Sequence, residues 1–226
     1  MYLPFSRITI PKGITAVTGS GGKTTFLRYM SSILPGSVIL TTTTHILPFS
    51  GLPLILTDEQ TDRDSCLRQI GSLLEKERVI CIGSPAENGK LSAPRMPLSS
   101  LLDTADFILA EADGSHCLPL KAHRTTEPVV PPETSLTVCL VGASGINGRI
   151  CDVCHCPDIF SRLAEADPED PATTEKIAAV LNAENLADVY LINQADQAEN
   201  PETVPELCGK IKKPAAAGSL MLRRFL

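Results

Sequence analysis

The stretch Ile14-Thr15-Ala16-Val17-Thr18-Gly19-Ser20-Gly21-Gly22-Lys23-Thr24-Thr25 decides how this chain is read. Its opening residues are apolar or β-branched and read as a strand covered on both faces. Three glycines follow, then a lysine, two threonines and the amphipathic run Phe26-Leu27-Arg28-Tyr29-Met30. A strand, a glycine loop and a helix in that order form a cradle for phosphate. The glycines let backbone N–H groups converge on an anion without a Cβ in the way, and the new helix turns its N-terminal amides and dipole toward the same charge. Gly19, Ser20, Gly21, Gly22, Lys23, Thr24 and Thr25 are therefore the expected nucleotide-binding residues. Lys23 would meet the β- and γ-phosphates and the Thr24 hydroxyl would ligate Mg²⁺.

The spacing narrows the kind of loop. The common pattern has glycine six residues before the lysine, where this chain has Val17. The loop instead resembles the compact Gly-Thr-x-Gly-Lys-Thr loop of Mur-type ligases and folylpolyglutamate synthases, which implies a P-loop. A dinucleotide-binding loop would want glycine at Thr24 and has no use for Lys23.

Short apolar runs alternate with amphipathic ones along the rest of the chain. Strands are expected at Gly13–Thr18, Val38–Thr42, Val79–Ile82, Phe107–Ala110, Leu136–Val141 and Val189–Ile192. Helices are expected at Lys23–Leu34, Asp62–Lys76, Ile159–Ala166, Thr173–Leu181 and Val204–Lys210. This pattern predicts an α/β, P-loop NTPase-like three-layer fold with a mainly parallel sheet, in one domain over residues 1–226. Segment 83–96, with Asn88-Gly89, reads as an inserted hairpin. Segment 119–133 holds four prolines and reads as an extended surface connection.

Composition sets the outer limits. Of 226 residues, 43% are apolar and only 4% aromatic, so the core must be aliphatic. The formal net charge of −6 argues against a nucleic-acid partner, which wants a broad basic face. No run approaches the ~20 apolar residues that cross a bilayer. Met1–Arg7 lacks the pattern of a secretory leader. No membrane association and a cytoplasmic location are expected.

Two further strand ends carry chemistry. Phe107-Ile108-Leu109-Ala110 runs into Glu111-Ala112-Asp113-Gly114. Ligand groups gather at the carboxyl ends of strands in such sheets, so Glu111 and Asp113 are candidates to hold Mg²⁺ or to orient an attacking water. Together with Lys23 they form the expected catalytic set. Thr41-Thr42-Thr43-Thr44-His45 ends another strand, and Thr43 and Thr44 are candidate switch-like ligands there, Thr43 for the metal. Asn193-Gln194-Ala195-Asp196 resembles the Asn-Lys-x-Asp turn with which GTPases read guanine, with Gln194 in place of the lysine. Asn193 would brace the loops and Asp196 would select the base. The phosphate loop resembles that of ATP users and this turn that of GTP users, so the nucleotide is ATP or GTP.

Eight cysteines in a chain read as cytoplasmic are thiols or ligands rather than disulfides. Cys151, Cys154 and Cys156 have the spacing to offer three soft ligands to a metal, with Cys117, His116 or His123 needed to complete a closed site. Cys66, Cys81, Cys139 and Cys208 sit among apolar residues and read as core.

The block Glu111-Ala112-Asp113-Gly114-Ser115, followed by Leu118-Pro119-Leu120-Lys121-Ala122 and Glu127-Pro128-Val129-Val130-Pro131, is similar to the YqeC-type family. The phosphate loop, the Thr41–Thr44 run and the Asn193–Asp196 turn occur in the same order. Members of that family are described as accessory proteins of selenium-dependent molybdenum hydroxylases. The resemblance implies a nucleotide-binding maturation factor, with the molybdenum cofactor or the apo-hydroxylase as partner. It also implies that Lys121 lies near Asp113, where it would meet a phosphate or an oxyanion. The cysteine-rich stretch at 151–156 is no part of the family pattern. Besides hydrolysis coupled to cofactor insertion, a ligase or transferase and a nucleotide-gated scaffold without turnover are compatible with these motifs.

Overall fold

A computed structural model describes residues 8–225 and the backbone of Leu3–Pro4. The Met1–Arg7 reading otherwise falls outside the described residues. The principal strands are β1 (Gly13–Gly19), β2 (Val38–Thr42), β3 (Leu54–Leu56), β4 (Val79–Pro85), β5 (Phe107–Glu111), β6 (Thr134–Gly142), β7 (Val189–Asn193) and β8 (Ala215–Ser219). The principal helices are α1 (Lys23–Ile33), α2 (Arg63–Leu74), α3 (Pro157–Ala164), α4 (Thr174–Glu184) and α5 (Thr203–Lys210).

The strands lie in the order β3-β4-β2-β5-β1-β6-β7-β8, and each of these pairings is parallel. Leu3–Pro4 adds a parallel pair outside β8. Antiparallel pairing is local: the end of β4 folds back on Leu91–Ser92, which also pairs with His45–Ile46, and Arg224–Phe225 pairs with the end of β8. Asn88 and Gly89, both at positive φ, make the turn of the first of these.

Helices cover both faces, because alternate residues of each strand point to opposite sides and both sides are apolar. On one face Phe26, Leu27 and Met30 of α1 pack on Val17, Leu40, Leu109 and Leu140. On the other, Cys66 and Ile70 of α2 meet Ile14, Ile39, Ile80 and Ile108. Beside them Phe160, Ile177, Leu181 and Leu207, from α3, α4 and α5, meet Cys139, Val141, Tyr190 and Ile192. Each fully buried Leu, Ile or Phe contributes about 1.5–3 kcal/mol, so these aliphatic layers stabilise the chain without a tryptophan. This is an α/β three-layer fold with a mainly parallel sheet.

Helix starts follow their caps. The Asp62 carboxylate accepts from the Ser65 N–H at the start of α2, and the Thr173 hydroxyl accepts from the Lys176 N–H at the start of α4. Two strands, β3 and β8, lie where the sequence shows no strand signal. β3 has only three residues, and β8 is Ala-Ala-Ala-Gly-Ser, whose composition favours no strand. The connection at 119–133 is not wholly on the surface as expected. Leu120, Lys121, Ala122 and His123 are buried, and Leu120–Lys121 pairs with Cys154–His155.

The chain builds β2 to β5 on one side of β1 and β6 to β8 on the other. The carboxyl end of β1 therefore sits where the strand order reverses, which is where an open α/β sheet leaves a crevice.

Candidate functional site

The glycine loop occupies that crevice. Gly19, Gly21 and Gly22 have φ of 83°, 86° and 116°, a region that side chains disfavour. At Gly21 the limit is also spatial, since a Cβ there would collide with the backbone of Gly142 at the end of β6. Gly22 is the N-cap of α1, and no side chain caps that helix start. Its first amides are thus free of side-chain partners, the condition for receiving an anion.

The loop borders a cleft of about 290 Å³ lined by Gly21, Gly22, Lys23, Thr24, Thr25 and Glu111, with Ser115, Cys117, Leu118 and Gln194 on the facing side. Ser20 turns away, its hydroxyl donating to the Leu118 carbonyl. Lys23 is buried (4% exposed) and folds back under its own loop. Its Nζ lies 2.7 Å from the Gly19 carbonyl oxygen, 3.0 Å from Asp113 Oδ1 and 3.8 Å from Glu111 Oε1.

Glu111, the last residue of β5, faces the cleft on the side of α1. Burial pushes its carboxyl up to about 7; the Asp113 charge adds to that, while Lys23 and a hydrogen bond from Thr24 oppose it. Its Oε2 is buried with no hydrogen-bond partner. An unpaired buried carboxylate oxygen is costly, and here it sits beside the exposed Thr24 hydroxyl. Oxygen donors of this kind suit a hard cation such as Mg²⁺.

Asp113 corrects the expectation of a second metal-binding or catalytic carboxylate. It is fully buried among basic partners rather than on the cleft wall, and its Oδ1 has an ion-pair partner but no hydrogen bond. Its Oδ2 takes the Gly19 N–H at 2.8 Å and lies 2.8 Å from His123 Nε2 and 3.3 Å from Lys121 Nζ, while Oδ1 faces Lys23. Burial alone would raise its pKa, but His123, Lys23 and Lys121 together hold it at about 2. Lys121 does lie near Asp113, and its ammonium also reaches Glu127 at 2.7 Å and the Gly114 carbonyl. Its donors are spent inside the protein.

Thr43 is not brought into the cleft. Its hydroxyl donates to the Val129 carbonyl at 2.7 Å and its amide to the Glu111 carbonyl at 2.9 Å, so it fastens β5 to the 120s connection. It lines a neighbouring depression of about 630 Å³ with Thr44, His45, Arg95 and Glu127.

At the other end of the cleft, Asn193 is buried and holds the loop. Its Nδ2 donates to the Gly21 carbonyl at 2.7 Å and its Oδ1 accepts from the Leu220 N–H at 3.0 Å. Gln194, at φ 61°, turns its amide oxygen to the Ser144 hydroxyl at 2.8 Å. Asp196 is exposed and borders a mostly apolar hollow of about 190 Å³ shaped by Ala195, Pro201, Gly218, Ser219, Leu222 and Arg224. Four of its seven lining residues come after Pro214, a stretch that sequence reasoning left without a role.

The cysteine cluster does not form a ligand set. Among the described residues no three His, Cys, Asp or Glu side chains converge to hold a metal. The Cys154 and Cys156 thiols are buried, Cys154 bonding the His155 carbonyl, while Cys151 is turned toward Asp152 and Glu169. His116 stacks on His155 with ring centroids 4.6 Å apart, and both nitrogens of His123 are taken by Asp113 and Glu184. The His123–Glu184 pair is a further feature that sequence reading missed, because 61 residues separate the partners.

Among the described residues no helix is long and apolar enough to cross a membrane. A solved structure, HypB from Helicobacter pylori in complex with nickel, is similar to this chain with a TM-score of 0.40 and 15% identity, covering 92% of this chain and 79% of that one. The Escherichia coli (strain K12) protein described as "Uncharacterized protein YqeC" is 26% identical over 211 residues, which is 86% of this chain and 80% of that protein. The family pattern described as "YqeC protein" matches residues 15–158, from β1 through the phosphate loop and the 111–123 network to the start of α3. The chain belongs to the YqeC protein family.

Proposed function

We propose that this chain is a Mg²⁺-dependent nucleoside-triphosphatase acting as one nucleotide-binding domain over residues 1–226. The observation that carries the reading is the buried Lys23 beneath three positive-φ glycines, next to a carboxylate oxygen of Glu111 that lacks a partner. The uncapped amides of α1 and the Lys23 ammonium would receive the terminal phosphates, stabilising the charge carried by the transferring phosphoryl group. Thr24 and Glu111 would hold Mg²⁺, whose contribution is to neutralise charge on the β- and γ-oxygens. Glu111 would also orient the attacking water.

Asp196 favours guanine as the base. An ionised carboxylate only accepts hydrogen bonds, and guanine presents adjacent N–H donors on its ring edge where adenine presents an acceptor. The hollow beside Asp196 offers apolar walls for a ring, and it lies one residue beyond Gln194, which borders the phosphate cleft. For the client we follow the family resemblance: nucleotide turnover would drive maturation or insertion of the cofactor of a selenium-dependent molybdenum hydroxylase.

The test is calorimetric titration of the metal-free protein with ATP, GTP and their diphosphates, with and without Mg²⁺, in the natural chain and in Lys23→Ala. Mg²⁺-dependent triphosphate binding that Lys23→Ala abolishes is the expected result, with GTP preferred and the preference lost in Asp196→Asn. Hydrolysis that continues unchanged in Lys23→Ala would remove the mechanism.

A ligase or transferase is the second reading, and the 630 Å³ depression next to the cleft favours it. Arg95 and several hydroxyls there would suit an anionic acceptor. Turnover that requires an added small-molecule acceptor would select this alternative.

A further inference from the structure

We propose that His123, clamped by Glu184, is a positioning residue for the nucleotide lysine Lys23. The inference rests on the nucleotide reading of the glycine loop. His123 Nδ1 lies 2.8 Å from Glu184 Oε2, and Nε2 lies 2.8 Å from Asp113 Oδ2. Ionised carboxylates offer no proton, so the ring satisfies both neighbours as an imidazolium with two donors. The other Glu184 oxygen accepts the His123 backbone N–H at 2.6 Å, so the ring cannot swing away without breaking a three-point attachment. Glu184 is the last residue of α4, the helix end at which a cation is favoured.

The far side of this clamp is the phosphate loop itself. Asp113 Oδ2 is shared among the His123 ring, the Gly19 N–H and Lys121, which leaves Oδ1 for Lys23 at 3.0 Å. The cluster is rich in both signs of charge. Lys23, Lys121 and His123 face the buried Asp113 and Glu111 and the partly buried Glu127 and Glu184, three basic groups against four carboxyl groups. Without the His123 charge the cluster loses one of its three basic groups directly behind a loop that must receive a polyanion. Asp113 Oδ2 would also lose a donor, and the carboxylate would draw the Lys23 ammonium back toward Gly19. His123 thus sets both where Lys23 sits and the field it contributes to. It acts through Asp113 and is not among the residues that border the cleft.

A positioning role through Lys23 has a signature that loss of structure would lack. Lys23 serves the terminal phosphates, so the effect should fall on the triphosphate and spare the monophosphate. The experiment compares equilibrium binding of GTP and GMP, both with Mg²⁺, to the natural chain, His123→Gln and Glu184→Gln. His123→Gln is expected to weaken GTP about tenfold, the scale on which residues that do not touch a ligand modulate its site, while GMP binding is unchanged. Glu184→Gln, which keeps the shape and removes the charge from the helix side, is expected to shift GTP in the same direction, and it carries the test if His123→Gln does not fold. Equal weakening of both nucleotides, or none in either variant while the natural chain binds, overturns the inference and leaves the nucleotide site standing. A natural chain that binds GTP no better than GMP removes the reading of Lys23 itself, and this inference with it.

Discussion

Asn193 Nδ2 lies 2.7 Å from the carbonyl oxygen of Gly21, joining positions 172 residues apart. The same amide accepts the Leu220 N–H through its oxygen, so one side chain ties the glycine loop to the turn after β8. A Cβ on Gly22 would run into this amide, which makes the loop and the brace mutually dependent.

Asn193→Ala should therefore leave two buried backbone groups without partners. The expected cost is about 1–3 kcal/mol, read from urea unfolding of the nucleotide-free protein. Triphosphate affinity should fall as well, since Gly21 is no longer held. A stability change within about 0.5 kcal/mol, the range of ordinary surface substitutions, would mean the brace does not carry the loop.

Glu111→Gln should separate turnover from binding. The carboxylate is asked to orient water and assist the metal, and loss of such a group costs on the order of 10²-fold or more in rate. Nucleotide affinity should change far less. Single-turnover hydrolysis across a Mg²⁺ titration reads both quantities, and a full rate in the variant would place the water-orienting group elsewhere.

Cys117 offers a chemical footprint of the cleft. It is the exposed thiol that borders the loop, whereas burial pushes Cys139, Cys154 and Cys208 up to about 12. A thiol probe at mild alkaline pH should react at Cys117 well ahead of those three, because the thiolate is the reactive form. Mg²⁺ and nucleotide should slow that reaction. Mass mapping that finds no protection would argue against nucleotide in this cleft.

The His123 network predicts a pH dependence of stability. Burial opposes protonation of the ring, but hydrogen bonds and charge from Asp113 and Glu184 outweigh it and raise its pKa above 6.5. A group whose folded pKa is raised binds more protons in the folded state, so stability falls as pH rises. Its contribution is complete below about 6.5 and is lost as pH passes through the raised value. Thermal unfolding of the nucleotide-free protein should show this alkaline loss, and His123→Gln should flatten it. An unchanged profile in the variant would show that the ring is not charged in the folded protein.

The sequence by itself determined the elements whose signals are local. Apolar runs such as Val38–Thr42 and Phe107–Ala110, and glycines between a strand and a helix, each act within a few residues, so their pattern is legible along the chain. The family resemblance read from Glu111–Pro131 is of the same kind, because it consists of residues in order. Only the tertiary structure decided what those residues do to one another. Glu111 and Asp113 are both acidic residues at the end of one strand, yet one faces an open cleft and the other is sealed among Lys23, Lys121 and His123. Charge and burial at such positions depend on partners brought in from 61 to 94 residues away, as with His123–Glu184 and Gly19–Asp113. The Ala215–Ser219 strand makes the same point. Its small residues carry no strand preference of their own, and they become a strand because β7 supplies a partner and both faces are buried.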